Sequence, residues 1–490
     1  MLKKKHSWPG LFMVVLLAIG FFYRIYGLIA NHSFWTDENH LAIFARAILE
    51  RGKPVLANGY HTRIYQLIPY YLSAISAKIF GLNEFAIRFP SVIFGVLTIW
   101  AVYLLGKELF NRNVGLLSAF FITFLKIEIL WSRQARPYQA LQFLFLLGAY
   151  FLYKLVKNKK FDRNYFLGFL STATLASLMH GLGVFLFLFG FVYLLAIKFS
   201  WFKKRYFLSL VIILTVVVFS YFLKGKIIST LERFAEFNNL YYYRVFLTHH
   251  YLLLTFLALL GGLFLLLKKK LKEIILFVIF LGFQFILVSW FLPQPFTRYF
   301  YIVFSFILLL SSYFLWFLSK FLKNKFLSLV LLLFLVFATV YLSKNKVAIL
   351  PQRIYSLNED MQEIPEVDWK KIYGFVGEKL KQDKDMVLIT NWTDLPVWFL
   401  GEGELSYLLR QGDVKIDGFT GAELINNLSK FREVIAKEEK GIVIIDSWDN
   451  YVPDGIREYL CENLKKELEI DRLYEVQPRY WPVEVYSWGI

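Results

Sequence analysis

Two adjacent carboxylates are the first candidates for chemistry. Asp37 and Glu38 follow Phe34-Trp35-Thr36 and open a stretch, 33–52, in which Leu41, Phe44, Ala45 and Ile48 share one helical face. Thr36 or Asp37 can cap that helix and Gly52 can end it. Asp37 is therefore either a cap, worth about 1 kcal/mol, or a site residue displayed at a helix N-terminus. Neighbours on a helix do not face the same way, so the pair cannot serve one substrate atom as equals. One acts and the other orients or balances it. Glu128 sits in an apolar run, where an ionisable side chain is costly enough to mark a functional candidate; the alternative is a pair with Lys126 or Arg133. His180, next to Gly181, is a further site candidate or a satisfied polar group at a helix end. Asp37, Glu38, Glu128 and His180 could offer oxygen and nitrogen ligands to a divalent metal, although no tight spacing requires one. The lone Cys461 excludes a disulfide framework within the chain and any cysteine-cluster metal site.

The elements that must position these groups are mostly apolar. The chain has 490 residues, 57% of them hydrophobic and 19% aromatic, with mean hydropathy +0.50; an ordinary soluble domain is about 45–50% apolar. Up to about residue 350, apolar runs recur between charges at the length that crosses about 30 Å of hydrocarbon. They predict spans at 11–29, 89–105, 114–130, 140–153, 165–179, 184–197, 206–223, 251–267, 274–292, 299–318 and 326–342, about eleven transmembrane helices. The first follows Lys3, Lys4 and Lys5 as a signal peptide would, but its apolar stretch is long for one and reads as a retained helix.

The segment 64–80 decides the topology, because a twelfth span there would reverse everything after it. Laid along the outer surface instead, held by its apolar face and by Tyr65, Tyr70 and Tyr71, it leaves the short basic connectors on one side. Those connectors hold Lys3 to Lys5, Lys107 with Arg112, and the clusters at 154–163, 198–205, 268–272 and 320–325, as the positive-inside rule requires. The excess of 55 Lys and Arg over 37 Asp and Glu, +18 in all, is thus a membrane signature and not a nucleic-acid footprint. This topology gathers on the outer side a first loop at 30–88, the loop 126–138, His180, the loop 224–250 and the turn 293–298. The third of these loops mixes tyrosines, amides and cations, which fits an interfacial aromatic belt better than a sugar-stacking surface.

From residue 350 the pattern is a small soluble α/β domain, 350–490, expected outside the membrane. Helices are predicted at 368–380, 422–436 and 454–468, and strands at 386–390, 441–446, 473–476 and 483–486, forming a largely parallel sheet. It carries no Gly-rich phosphate loop and no nucleophile motif. The preceding part, 1–349, is read as one transmembrane domain that includes the amphipathic loop 30–88.

Three motifs in order carry a family resemblance: Phe34-Trp35-Thr36-Asp37-Glu38 after a first span, Gly81-Leu82-Asn83-Glu84-Phe85-Ala86-Ile87-Arg88-Phe89-Pro90-Ser91, and Trp131-Ser132-Arg133-Gln134-Ala135-Arg136-Pro137-Tyr138. Together they resemble the GT-C glycosyltransferases of the protein mannosyltransferase and aminoarabinose transferase type, over about residues 8–200, with Met179-His180-Gly181 and Arg298-Tyr299 as later echoes. The resemblance implies a hexosyl- or pentosyltransferase that moves a sugar, with inversion, from a polyprenyl-phosphate carrier to a lipid, glycan or protein acceptor on the outer face. The phosphate leaves as a stabilised anion, so the site needs a base for the acceptor and positive charge for the phosphate. Asp37 is similar in position to the family's base. Arg136 and Arg298, with Arg133 and Tyr138 beside them, are implied at the donor phosphate, where a guanidinium fork suits bidentate contact. Where many relatives have a glutamate this chain has Gln134, and Glu128 is the candidate replacement. His180 is similar to a histidine of Thr-His-Tyr type. Ser447-Trp448-Asp449-Asn450-Tyr451 faintly resembles the Trp-Trp-Asp-Tyr-Gly motif of oligosaccharyltransferases, without its first Trp and final Gly. A polytopic lipid or solute transporter is the main alternative, but the chain shows no repeated halves. A membrane scaffold would not need Asp37, Arg136 and Arg298.

Overall fold

The computed structural model describes residues 8–29, 33–62, 67–204, 237–355, 361, 366–449, 451–471 and 481–489. The expected span 206–223, Tyr65, and the expected strand 473–476 lie outside them. The chain divides into two compact units: Met1–Tyr26, Ser91–Gln352 and Leu357–Gln362 in the first, and Gly27–Pro90, Arg353–Ser356 and Glu363–Ile490 in the second.

The first unit is helical. Among the described residues five segments of the chain are long and apolar enough to cross a membrane: Glu84–Leu109, Tyr138–Lys157, Gly181–Trp201, Leu271–Trp290 and Lys325–Leu342. The bent pair Leu240–His250 and Leu252–Leu267, angled by 97°, makes a sixth if counted as one span. Shorter apolar helices are Gly10–Ile25, Leu67–Phe80, Arg112–Phe124 and Phe304–Ser319. Lys325–Leu342 turns Leu329, Leu333, Phe334 and Phe337 outward, all exposed. A helix that bares such a row of large apolar side chains is built to face lipid.

Two expected spans are interrupted. The run 114–130 is Arg112–Phe124 and Lys126–Ser132, broken at Leu125, which pairs with Val347 in an isolated bridge. There the Lys126 amide donates to Lys346 O (2.9 Å) and the Ala348 amide to Phe124 O (2.7 Å), so backbone groups freed by the break are satisfied by another strand of chain. The run 299–318 starts as Thr297–Tyr301 and resumes as Phe304–Ser319.

In the second unit the helix Thr36–Arg51 forms as its periodicity predicts, burying Leu41, Phe44 and Ala45, and ends where Gly52 takes φ 74°. Leu67–Phe80 packs against it and buries Tyr70, Ala74 and Ala77 while Tyr71 stays exposed. The first loop groups with the C-terminal residues, where composition had placed it with the spans. Its contacts explain why: Phe34 lies 5.3 Å from the Trp398 ring, Arg46 donates to Val397 O (3.0 Å) and Trp398 O, and Asn58 Nδ2 donates to the carbonyls of Gly418 (3.2 Å) and Phe419 (3.0 Å).

The C-terminal sheet has six strands: β1 (Val387–Thr390), β2 (Tyr407–Leu409), β3 (Glu423–Ile425), β4 (Gly441–Asp446), β5 (Lys465–Ile470) and β6 (Val483–Trp488), in the order β3-β2-β1-β4-β6-β5. The first four are parallel, and β6 runs antiparallel to β4 and β5. Strand residues alternate between two cores. Leu388, Leu408, Ile442 and Ile444 face the helix Trp369–Gln382, whereas Ile389, Leu409, Val443 and Ile445 pack with side chains from Leu428–Lys437 and Ile456–Asn463. Two expected helices are corrected. The run 422–436 begins as β3, and the run 454–468 gives way at Leu464 to β5, whose Leu468 and Ile470 pack on the first core.

One helix pair in the first unit packs directly through a glycine. A Cβ on Gly261 would lie 2.4 Å from Leu310 O, whereas Gly262 faces open space. Gly261→Val should force Leu252–Leu267 from Phe304–Ser319, at about 1–3 kcal/mol. A thermal-shift measurement on the solubilised protein should show a lower midpoint for Gly261→Val and none of that loss for Gly262→Val.

Candidate active site

In the second unit the acidic pair divides its labour. Trp35, not Thr36 or Asp37, occupies the cap position of Thr36–Arg51 and makes no side-chain cap bond, so Asp37 and Glu38 both stand in the first turn. Their charge is favoured there by the helix dipole. Glu38 is fully buried and bidentate to Arg88: Nε to Oε1 at 2.8 Å and Nη2 to Oε2 at 2.6 Å. The Arg88 guanidinium also lies over the Phe34 ring at 4.8 Å and 3.9 Å from Glu84 Oε2, and Glu84 in turn pairs with Lys370 Nζ at 2.7 Å. Glu38 is thus committed to holding the helix start, whereas Asp37 is half-buried.

A second acid meets Asp37. Asp394 opens the short helix Asp394–Phe399, which packs on Thr36–Arg51. Burial pushes its carboxyl up to about 7; its own and Leu395's backbone amides and the Asn39 amide pull it down, and the charge of Asp37 pushes it further up. Near neutrality Asp37 therefore faces a carboxyl that is partly protonated. Asp394 was not legible as a site residue, because its neighbour lies in a distant part of the sequence.

In the first unit the cations collect on a tyrosine. Tyr138 is buried, with the Arg136 guanidinium 5.5 Å and the Arg298 guanidinium 5.7 Å from its ring centre. Arg136 Nη2 also reaches Tyr138 Oη at 3.5 Å, and Arg298 stacks on Phe296 at 3.8 Å. His180 completes the group, its ring 5.4 Å from that of Tyr138. Its Nδ1 accepts from the Leu182 amide at 3.2 Å, which caps the turn Gly181–Val184. Arg133, expected with these residues, is used differently: Nη1 donates to the carbonyls of Tyr26 (2.6 Å), Tyr23 (3.3 Å) and Gln352 (3.4 Å). It braces backbone, while Arg136 and Arg298 are the pair brought together.

For Glu128 the alternative of a nearby cation does not hold. It pairs with neither Lys126 nor Arg133; its oxygens accept from Gln142 Nε2 (3.0 Å) and Tyr301 Oη (2.8 Å), with no side-chain exposure. Tyr301 Oη reaches Gln139 Oε1 at 2.6 Å, and Gln139 Nε2 donates to Thr98 Oγ1 at 2.8 Å. Arg24, buried in the first helix, joins through Ser132: Nε donates to Ser132 Oγ at 2.9 Å and Nη2 to Ile122 O at 2.9 Å. The rule that flagged Glu128, an ionisable group deep in an apolar run, would have flagged Arg24 equally. Among the described residues no three His, Cys, Asp or Glu side chains are grouped to hold a metal.

Comparison with known proteins adds to this geometry. A sequence model of the family described as dolichyl-phosphate-mannose-protein mannosyltransferase matches residues 66–223, a segment that contains Arg133, Arg136, Tyr138 and His180. An uncharacterised protein of Aquifex aeolicus is 30% identical over 153 residues, 30% of each chain. An undecaprenyl phosphate-alpha-4-amino-4-deoxy-L-arabinose arabinosyl transferase of Pseudomonas aeruginosa (strain UCBPP-PA14) is 28% identical over 113 residues, 22% of this chain and 20% of that one. The chain spans about a third or less of the length of these curated relatives. The fold extends further. The crystal structure of ArnT from Cupriavidus metallidurans in the apo state matches 98% of this chain and 97% of its own, with TM-score 0.62 and 15% identity. Archaeal oligosaccharyltransferase AglB from Archaeoglobus fulgidus, in complex with an inhibitory peptide and a dolichol-phosphate, matches 90% of this chain and 69% of its own, with TM-score 0.60 and 14% identity.

Two outcomes follow from the acidic residues. Arg88→Met strands the buried Glu38 charge and should cost about 3–5 kcal/mol; the double variant Glu38→Gln, Arg88→Met should recover part of that in a thermal-denaturation series. Asp394 titrates near 3.8 when unfolded and about 7 when folded. Ionisation is thus opposed by folding, and its cost accrues as pH rises from about 4 to about 7. Asp394→Asn should raise the thermal midpoint by several degrees at pH 8, with the gain vanishing towards pH 4.

Proposed function

We propose, from the premise that the chain is an integral membrane protein with the fold of ArnT and AglB and a resemblance to the GT-C glycosyltransferases that these comparisons bear out, that it is an inverting glycosyltransferase. It moves a sugar from a polyprenyl-phosphate carrier to a lipid, glycan or protein acceptor, at a site outside the cytoplasm. The observation that carries this reading is the pair of guanidiniums on Tyr138. Two cations fixed against one aromatic ring are preorganised for a phosphate monoester, and they gain strength where water is scarce. A solved relative, ArnT from Cupriavidus metallidurans bound to undecaprenyl phosphate, matches this chain with TM-score 0.60 and is consistent with such a ligand.

The reaction asks little else of the protein. Asp37 takes the proton of the acceptor hydroxyl as that oxygen attacks the anomeric carbon. The carbon–oxygen bond to phosphate breaks on the opposite side, and the carrier phosphate leaves with the electron pair, neutralised by Arg136 and Arg298. No general acid is required, since the leaving group is already a stable anion. Glu38 serves indirectly: pinned to Arg88, it fixes the turn from which Asp37 projects. The short basic connectors support a topology in which the C-terminal sheet and the first loop lie on the side away from the cytoplasm.

Purified protein in proteoliposomes, supplied with a panel of polyprenyl-phosphate sugars, should release carrier phosphate with one of them when acceptor is present. Asp37→Asn should lower the turnover by about 10²–10⁴. Arg136→Gln and Arg298→Gln should each cost on the order of 10²-fold. Unchanged transfer in Asp37→Asn removes Asp37 as the base.

A further inference from the structure

We propose that the C-terminal sheet carries a sugar-binding site at its topological switch point, built on the indoles of Trp392 and Trp448, and that this site holds the ring of the acceptor. That it serves the acceptor rests on the transferase reading; that it binds a sugar does not.

The topology picks out the place. From β1 the chain moves to β2 and β3 on one side, and later returns to lay β4 on the other side of β1. Loops leaving the carboxyl ends of β1 and β4 therefore diverge, and in open α/β sheets the crevice so formed is where ligands bind. Trp392 follows the end of β1 by two residues, and Trp448 follows the end of β4 by two. The two rings are nearly parallel, 11° apart, with centres 6.4 Å apart, and both are half-buried.

One carboxylate bonds to both tryptophans, at the ring of Trp392 and at the backbone of Trp448. Trp392 Nε1 donates to Asp446 Oδ2 at 3.1 Å, and the Trp448 amide donates to Asp446 Oδ1 at 2.9 Å. Asn391 ties the two loops: its Nδ2 donates to Asp449 Oδ2 at 3.0 Å, and its Oδ1 accepts from the Asp446 amide at 3.1 Å. Asp446, Asn391 and Asp449 are all buried, and Arg457 supports them through the carbonyls of Asp446 (3.2 Å) and Asp449 (2.6 Å). Such a network is more than an isolated indole needs for packing. It holds two aromatic faces at a set angle, with the polar tip of Trp392 already bonded.

The chemistry narrows the occupant. The face of an indole is electron-rich and attracts the weakly positive C–H face of a pyranose, while the ring hydroxyls remain free to bond polar atoms at the edge. No glycine-rich loop follows β1, where Asn391-Trp392-Thr393 stands, so a phosphate cradle is lacking there. Asp446 and Asp449 disfavour an anion. A neutral sugar or an amino sugar fits, and a nucleotide or a lipid phosphate does not. The site also lies on the way to the reaction: Asp394, two residues beyond Trp392, is the acid that feels Asp37.

The test is saturation-transfer difference NMR on the full chain in lipid nanodiscs, free of glycoside detergents, with methyl glycosides of glucose, mannose, galactose and glucosamine as probes. At least one should receive saturation on its ring protons, and Trp392→Ala or Trp448→Ala, with an unchanged thermal midpoint, should weaken its binding about tenfold or more. Trp392→Phe, which keeps an aromatic face, should retain most of the signal, and Asp37→Asn should retain all of it. Absence of transfer from every probe above that of empty nanodiscs, or signal undiminished in both folded alanine variants, overturns the sugar site. Binding that is lost in the alanine variants while carrier-phosphate turnover is absent with every donor would keep the sugar site and remove the transferase reading instead.

Discussion

The buried ion pair between Glu38 and Arg88 is the constraint on which the position of Asp37 in the second unit depends. A carboxylate and a guanidinium withdrawn from water cost several kcal/mol each, and the cost is offset because both oxygens of Glu38 meet the fork of Arg88. Once that geometry is set, the first turn of Thr36–Arg51 cannot rotate. The residue beside Glu38 must then point elsewhere, and that residue is Asp37. The surrounding charges, Glu84 and Lys370, extend the pair into a network, so the position of Asp37 is overdetermined.

In the first unit the basic cluster is held by a comparable arrangement of neutral and charged groups. Arg24, Ser132, Gln139, Tyr301, Gln142 and Glu128 form a connected chain in which each contact satisfies another buried polar atom. Such networks are worth their desolvation when complete. This one ties together the helices Trp8–Ile25, Lys126–Ser132, Tyr138–Lys157 and Thr297–Tyr301. Tyr138 and Arg298 belong to the last two of these, so the network fixes the elements that bring both to one ring. Arg133 performs the same service for the backbone at Tyr23 and Tyr26. Structural arginines thus surround the two that are proposed to meet substrate, and residue type alone could not separate them.

The sequence was informative where a pattern is local. The helix Thr36–Arg51 with its terminal glycine, the strands β1 and β4, and the helix Trp369–Gln382 are all visible as periodicity with a stop signal. What was missed is short or long-range. Strands β2 and β3 have three residues each, too few to show alternation, and β3 precedes a helix closely enough to be absorbed into it. Lys465–Ile470 reads as a charged helix end because its polar face is turned to solvent, and only pairing with β6 shows it to be a strand. Asp394, Arg88 and Tyr301, which meet Asp37, Glu38 and Glu128, each lie at least 50 residues away in the sequence, and nothing in single-chain spacing encodes such pairs. Gln134 leaves a carboxylate missing, yet the acid that meets Asp37 comes from the short helix Asp394–Phe399.

The central claim is that Arg136 and Arg298, brought to one tyrosine, receive a lipid phosphate. Native mass spectrometry of the protein released from nanodiscs containing undecaprenyl phosphate addresses it without depending on the sugar or the acceptor. The account predicts one retained carrier on the wild type and on Asp37→Asn, and loss of that adduct in the double variant Arg136→Gln, Arg298→Gln. Equal retention by the folded double variant would contradict it.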